Sequence, residues 1–368
     1  MSDCKMTLQM LRENIAKVIV GKEQTTDLLL VCLAAGGHAL IEDVPGTGKT
    51  VLAKSLAASA SLEYSRIQFT PDLLPSDVTG LNYFDQSIAK FRFRAGPVFC
   101  NILLADEINR ATPRTQSALL ECMAEHQVTV DGRTRVLKDP FFVIATQNPV
   151  ETLGTFPLPE AQLDRFLMQI SMGAMSEEEE LRMIDRFIDA EPLNDLTACC
   201  GVREILELQQ ECRKIYVHPD LRAYIAQLVQ HTRHVAGSAG TTQQTGSSAY
   251  GAGTAQQAGY SAGSIDGTGN NGGAGRTSAG AFPGRAVRME EGVSPRGTLA
   301  LVRSSQGYAM LRGRNFVTPE DIQAVAVPVL AHRCLSAGIS SSREKEARIL
   351  SALTQTEVPT EDWKRGGL

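Results

Sequence analysis

Residues 41–50 read IEDVPGTGKT. The apolar run HALI leads into them, and the helix-forming run KTVLAKSLAASA leads out. Strand, glycine-rich turn and helix, in that order, make a phosphate-binding loop. In such a loop, backbone N–H groups cradle phosphate and the following helix presents its positive end. The usual spacing is G-x-x-x-x-G-K-[ST], and here Asp43 stands in place of the first glycine. That position lies at the strand end, before the tight part of the curve, so a side chain there can point away from the ligand. Gly46 and Gly48 stand where backbone must approach the ligand closely. Lys49 is placed to reach the β and γ phosphates, and Thr50 to offer its hydroxyl to Mg²⁺. Pro45, Thr47 and Val51 complete the loop and the first helical turn. The reading is a nucleotide site.

Outward from the loop, short apolar runs recur at YSRIQF, NILLAD, FFVIAT and FLMQI, with helical texture between several of them, as in RTQSALLECMAEH. Strands alternating with helices predict an α/β fold with a parallel sheet covered on both faces. Two stretches break the alternation. VTVDGRTRV carries an Asp131-Gly132 turn between alternating residues and predicts a hairpin. LNYFDQSIAKFRFRAG is a looser hairpin candidate. From about residue 175 onward the texture is helical, opening on Ser176 as N-cap with four glutamates behind it.

Two strand ends carry chemistry once the loop is in place. NILLADEINR (101–110) ends four apolar residues in Asp106-Glu107. An acidic pair at the tip of a buried strand is costly unless something uses it. Asp106 suits the Mg²⁺ shell, and Glu107 suits a general base on the attacking water. FFVIATQNP (141–149) ends in Asn148, whose amide can donate and accept between a γ-phosphate and that water. Arg165, in LPEAQLDRF, and Arg296, in VSPRGTLAL, are candidate phosphate-binding guanidiniums.

The whole chain fits this reading. Its 368 residues predict at least two domains. A net charge of −5 gives no sign of the basic face that nucleic-acid binders show. No run is long enough to span a membrane and the first residues lack an apolar secretory core, which predicts a cytoplasmic protein. Eight scattered cysteines without a C-x-x-C pair predict reduced thiols rather than zinc or disulfides. Residues 236–284 hold 14 glycines and only two charges, Asp266 and Arg276. With almost no large aliphatic side chains, this Gly/Ser-rich stretch predicts a disordered, flexible insertion over 236–286.

Taken together, IEDVPGTGKT, GPVFCNILLADEINRATPRTQSALLECMAE, VIATQNPVETLGTFPLPEAQLDRF and SPRGTLAL resemble the MoxR family of AAA+ ATPases. The motifs run in order over residues 10 to 335, the insertion apart. The family often carries Asp where the loop lacks glycine. The resemblance implies an AAA+ P-loop core over 1–172 whose five parallel strands, counted along the chain, lie in the order 5-1-4-3-2. It implies hairpin insertions at 81–97 and 126–140 that face a pore or substrate, an all-α lid over 173–341, and a polar tail over 342–368. It also implies Mg²⁺-dependent hydrolysis of ATP between the subunits of a ring, a hexamer, acting on a protein client. Partners with von Willebrand factor A domains, and roles in metal insertion or complex assembly, belong to the same implication. By motif position, Gly46 to Thr50 resemble the Walker A loop, Asp106 and Glu107 Walker B, and Asn148 sensor 1. Arg165 resembles the arginine finger and Arg296 sensor 2. VIVGKE resembles the segment flanking the base, which places Val20 and Gly21 beside adenine.

Two other classes find less support in the residues. A nucleic-acid-acting AAA+ motor finds support only in Arg92 and Arg94 of FRFRAG. A GTPase switch or small-molecule kinase would not need both arginines and an all-α second domain.

Overall fold

The computed structural model describes residues 2–42, 46–148, 154–188, 191–234, 292–334, 341–360 and 363. Two helices, α1 (Ser2–Ala16) and α2 (Glu23–Ala35), precede strand β1 (Ala39–Glu42). There follow α3 (Lys49–Ser59), β2 (Tyr64–Gln68), α4 (Pro75–Thr79), β3 (Gly80–Asp85), β4 (Lys90–Ala95), β5 (Ile102–Asp106) and α5 (Pro113–Glu125). Next are β6 (Gln127–Val130), β7 (Arg133–Val136), β8 (Phe142–Gln147), α6 (Glu160–Leu163) and β9 (Met168–Ile170). The rest of the described chain is helical: α7 (Glu177–Phe187), α8 (Val202–Cys212), α9 (Pro219–His234), α10 (Pro295–Leu311), α11 (Pro319–Leu330) and α12 (Ser342–Gln355).

Five strands form one sheet in the order β2-β5-β8-β1-β9. Every pairing in it is parallel. Counted along the chain, these are the core strands 2-3-4-1-5, the expected order read from the other edge. Alternate residues feed opposite faces. Ile41, Ile102, Leu104 and Ile144 join one apolar cluster, while Leu40, Leu103, Val143 and Ala145 join the other. Both faces of the central strands β1, β5 and β8 are therefore dry, which is why these three read as near-continuous apolar runs. In β1, β5 and β8 the partly exposed polar positions are the carboxyl ends: Glu42, Asp106 and Gln147 each close a strand whose preceding residues are buried. In open α/β sheets, ligands bind at that edge.

The first apolar cluster continues without a break from the sheet through α1 and α2 into α8, α9, α10 and α11. Helix α2 is the hinge of this packing: Leu29, Leu30 and Leu33 are fully buried, each contributing about 2 kcal/mol by removal from water. The lid is thus seated on the core through its N-terminal helices. Ser176 caps α7 by accepting from the Glu179 N–H, and the Glu179 carboxylate answers to the Ser176 N–H. The two interruptions are both hairpins, β3–β4 and β6–β7, antiparallel and outside the main sheet. Asp131 (φ 49°) and Gly132 (φ 73°) form the tight turn of the second.

One expectation is corrected. Residues 342–355, read as part of a polar tail, form α12, which buries Ile349 and Ala352. The signal was present: Ser341 and Glu344 make a reciprocal capping box, two polar residues that a tail reading overlooks. The insertion over 236–286 lies outside the described residues.

Candidate active site

Helix α3 begins at Lys49, directly after two glycines in the left-handed region, Gly46 at φ 87° and Gly48 at φ 90°. An added Cβ at either would meet nothing within 4 Å, so backbone conformation rather than crowding demands glycine there. The turn delivers the amino end of α3 to the carboxyl edge of the sheet. There, Gly46, Thr47, Gly48, Lys49 and Thr50 face Arg66, Asp106, Glu107, Thr146, Gln147 and Asn148 around a cavity of about 380 Å³. Residues from four separate segments of the chain converge on one space. Val51 lies in the first turn of α3 but does not line it. Asp43 and Pro45 lie outside the described residues.

The acidic pair is held by donors the sequence reading did not single out. The Thr146 hydroxyl donates to Asp106 Oδ1 at 2.6 Å and accepts from the Glu107 N–H at 2.9 Å. Arg66 pairs with Asp106 Oδ2 at 2.7 Å. Gln68 Nε2 donates to Glu107 Oε2 at 2.7 Å, and Arg110 pairs with the same oxygen at 3.3 Å. Both contacts fall on Oε2, which leaves Oε1 as the oxygen available to a water. Glu107 also sits at φ 54°, left-handed backbone in a residue with a side chain. Such a conformation costs on the order of 1 kcal/mol and concentrates at sites of function. The pair lies at the end of β5 opposite β2, whose register sets Gln68 against Asp106.

A second cavity, about 620 Å³, opens between core and lid. Gly21, Glu42, Gln147, Glu179 and His332 are among its lining residues, and Gln147 belongs to both cavities. Gly21 lies against Glu179 of α7, with no room for a Cβ between them. Lys22 ties the segment down by donating to the Gly173 and Ala174 carbonyls at 2.8 and 3.1 Å. Val20 is buried and does not face this cavity. Glu42, the last residue of β1, accepts from Gln147 at 3.1 Å and from Gln169.

The two expected arginines are elsewhere. Arg165 is exposed beside Ser117, Glu121 and Gln162, lining a recess that shares no residue with the phosphate cavity. Arg296, in the first turn of α10, pairs with Asp164 at 3.4 Å. Asp164 also binds Arg333, a buried lid residue, at 2.8 Å. Arg333 further donates to the Leu167 carbonyl at 3.0 Å and to that of Phe166. Burial lowers its pKa while the Asp164 carboxylate opposes the shift. The lid therefore grips the turn on which Arg165 sits.

The oxygen donors fit a hard cation. A threonine hydroxyl and a carboxylate face one space, a donor set suited to Mg²⁺ shared with phosphate and water. Among the described residues, no three His, Cys, Asp or Glu gather into a metal cage. None of the eight cysteines is in a disulfide, and burial pushes the thiols of Cys100, Cys122, Cys200 and Cys212 up to about 12, away from the reactive thiolate. No helix among the described residues is long and apolar enough to cross a membrane.

A glycine-turned phosphate loop, an acidic strand end beside it and a helical lid over the sheet edge define a nucleotide-binding protein of the AAA class. The model of the ATPase family associated with various cellular activities matches residues 38–168, and the AAA lid domain model matches 286–353. A protein of Bacillus subtilis, YeaC, is 41% identical over 88% of this chain and 85% of its own length. The chaperone MoxR1 of Mycobacterium tuberculosis is 36% identical over 89% of this chain and 75% of its own. The crystal structure of a candidate ATPase from Cytophaga hutchinsonii superposes with a TM-score of 0.76 at 33% identity, covering 97% of this chain and 96% of that one. The chain belongs to the MoxR family of AAA+ ATPases.

Proposed function

We propose that this chain hydrolyses ATP, with Mg²⁺, at junctions between copies of itself, and that the motion so produced remodels or matures a protein client. The observation that carries this reading is the convergence of Lys49, Thr50, Asp106, Glu107 and Asn148 on one cavity that neither Arg165 nor Arg296 enters. Lys49 and the first N–H groups of α3 bind the phosphates. Thr50 and Asp106 are the residues that would hold the metal. Magnesium, when bound, neutralises charge on the β and γ oxygens. Glu107, oriented by Gln68 and Arg110, takes the proton of the attacking water on Oε1, and the Asn148 amide orients that water. Gly21 and the larger cavity lie where a base and ribose would extend.

Arg165 and Arg296 are read as the cations that a neighbouring copy receives. They share Asp164 as neighbour and partner, so one surface presents both. An arginine supplied from outside is worth about 10³–10⁵ in rate in other phosphoryl-transfer enzymes. That is roughly 4–7 kcal/mol of barrier, enough to make turnover conditional on assembly. A hexameric ring, a von Willebrand factor A domain partner, and work in metal insertion or complex assembly follow from family resemblance. The chaperone naming of MoxR1 supports a protein client. The two hairpins, the first exposing Phe84 and Phe91 and the second Val136, are the surfaces such a client would meet.

The test is Glu107→Gln. This variant retains ATP while turnover falls by roughly 10²–10⁴-fold, and proteins captured on it name the client. Normal turnover in the variant removes Glu107 as base. Stimulation of the wild-type ATPase by DNA or RNA would favour a nucleic-acid-acting motor instead.

A further inference from the structure

Arg66 has no place in the reading above, yet it lines the phosphate cavity beside Lys49 and Thr50. It stands two residues before Gln68 on β2, so the two side chains share a face of the strand. Its Nη2 donates to Asp106 Oδ2 at 2.7 Å and to Gln68 Oε1 at 3.1 Å. The other Asp106 oxygen already accepts from Thr146 at 2.6 Å. Both oxygens of the carboxylate that would meet the metal are therefore engaged, one of them by a permanent cation. The guanidinium is 46% exposed, whereas Asp106 is 18% exposed. An ion pair so open to water is weak, so Arg66 can leave. A divalent ion and a guanidinium cannot share Oδ2 without strong repulsion, so one must yield.

We propose that Arg66 is the resident counter-ion of Asp106, which the metal must displace, and that Arg66 thereby sets the metal affinity of the loaded site. The proposal rests on Asp106 being a metal-holding residue. It makes Arg66 a positioning residue: it holds the Asp106 carboxylate aligned while the cavity lacks a metal. It then leaves for the negative charge that the nucleotide introduces.

Mn²⁺ reports the competition directly, because its free ion gives an electron paramagnetic resonance signal that binding removes. Titrations are made on full-length protein loaded with ATPγS. Arg66→Ala binds Mn²⁺ roughly fivefold more tightly than wild type, about 1 kcal/mol for an exposed pair, and Arg66→Lys lies between the two. Arg66→Gln, neutral and of similar reach, gives the same tightening and serves if the alanine variant does not fold. In an Asp106→Asn background, removing Arg66 changes nothing. Unchanged or weaker Mn²⁺ binding by Arg66→Ala and Arg66→Gln overturns the proposal. So does equal tightening in the Asp106→Asn background, which would reveal a general charge effect. If Asp106→Asn alone leaves Mn²⁺ affinity untouched, it is the metal-holding role of Asp106 that fails.

Discussion

The cavity around Lys49 and the surface around Arg165 are built on opposite plans. In the cavity, glycine backbone, a helix start, an acid pair and two amides close around one space. Both oxygens of Asp106 and Oε2 of Glu107 are already steadied by neighbours. On the arginine surface, cations stand in the open, and what steadies them lies beneath: Asp164, gripped by the buried Arg333 of the lid. On the proposed reading, one region receives a polyanion and lacks Arg165 and Arg296. The other offers those arginines and has no cradle. A chain that carries both halves apart completes neither by itself, which is the physical reason to expect a ring.

The largest effect should come from breaking the receptor half. Lys49→Ala removes a charge-assisted contact to the phosphates, so nucleotide affinity falls roughly a hundredfold or more. Equilibrium binding of a fluorescent ATP analogue measures this, and unchanged affinity would defeat the loop assignment. The arginine half is broken more selectively. Arg165→Ala keeps nucleotide affinity and loses about 10³-fold or more in turnover. Mixed with Lys49→Ala, it regains part of the activity, because the intact pocket of one variant meets the intact arginine of the other. Absence of rescue at every mixing ratio would place Arg165 outside the neighbour's site.

The same contrast explains what the sequence could and could not reveal. The receptor half was legible because its parts are local: a loop with its own helix, and strand ends that turn from apolar to polar within one residue. Sheet order followed from the family resemblance, and the Asp131-Gly132 hairpin from turn chemistry. Arg66 and Gln68 were not legible, because their partners are about 40 residues away and meet them only through the parallel register of β2 with β5. Thr146 hides inside an apolar run, where its hydroxyl looks like ordinary strand texture. Arg333 is harder still: its bond to Asp164 spans 169 residues and two domains. The sequence shows Asp164 beside Arg165, and only folding shows that the same aspartate binds Arg296.

The smallest effect concerns the stretch between α9 and α10, and it sharpens the placement of Arg296. The described chain leaves at the end of α9 and returns at Gly292, and these two points touch. Arg233 donates from Nε and Nη2 to the Val293 carbonyl at 3.1 and 2.9 Å, and the Val293 N–H donates to the Thr232 hydroxyl at 3.4 Å. Ser294, the next residue, accepts from the Gly297 N–H and starts α10, two residues before Arg296. The clasp that sets Arg296 is therefore made by the residues flanking the insertion. Closing a loop costs only about 0.6 kcal/mol for each doubling of its length, so shortening it shifts stability little and toward the folded state. Deleting residues 238–282 should leave ATP turnover within about twofold of wild type and the melting temperature unchanged or slightly higher. A collapse of turnover with folding intact would mean that the insertion itself helps to set the arginine surface.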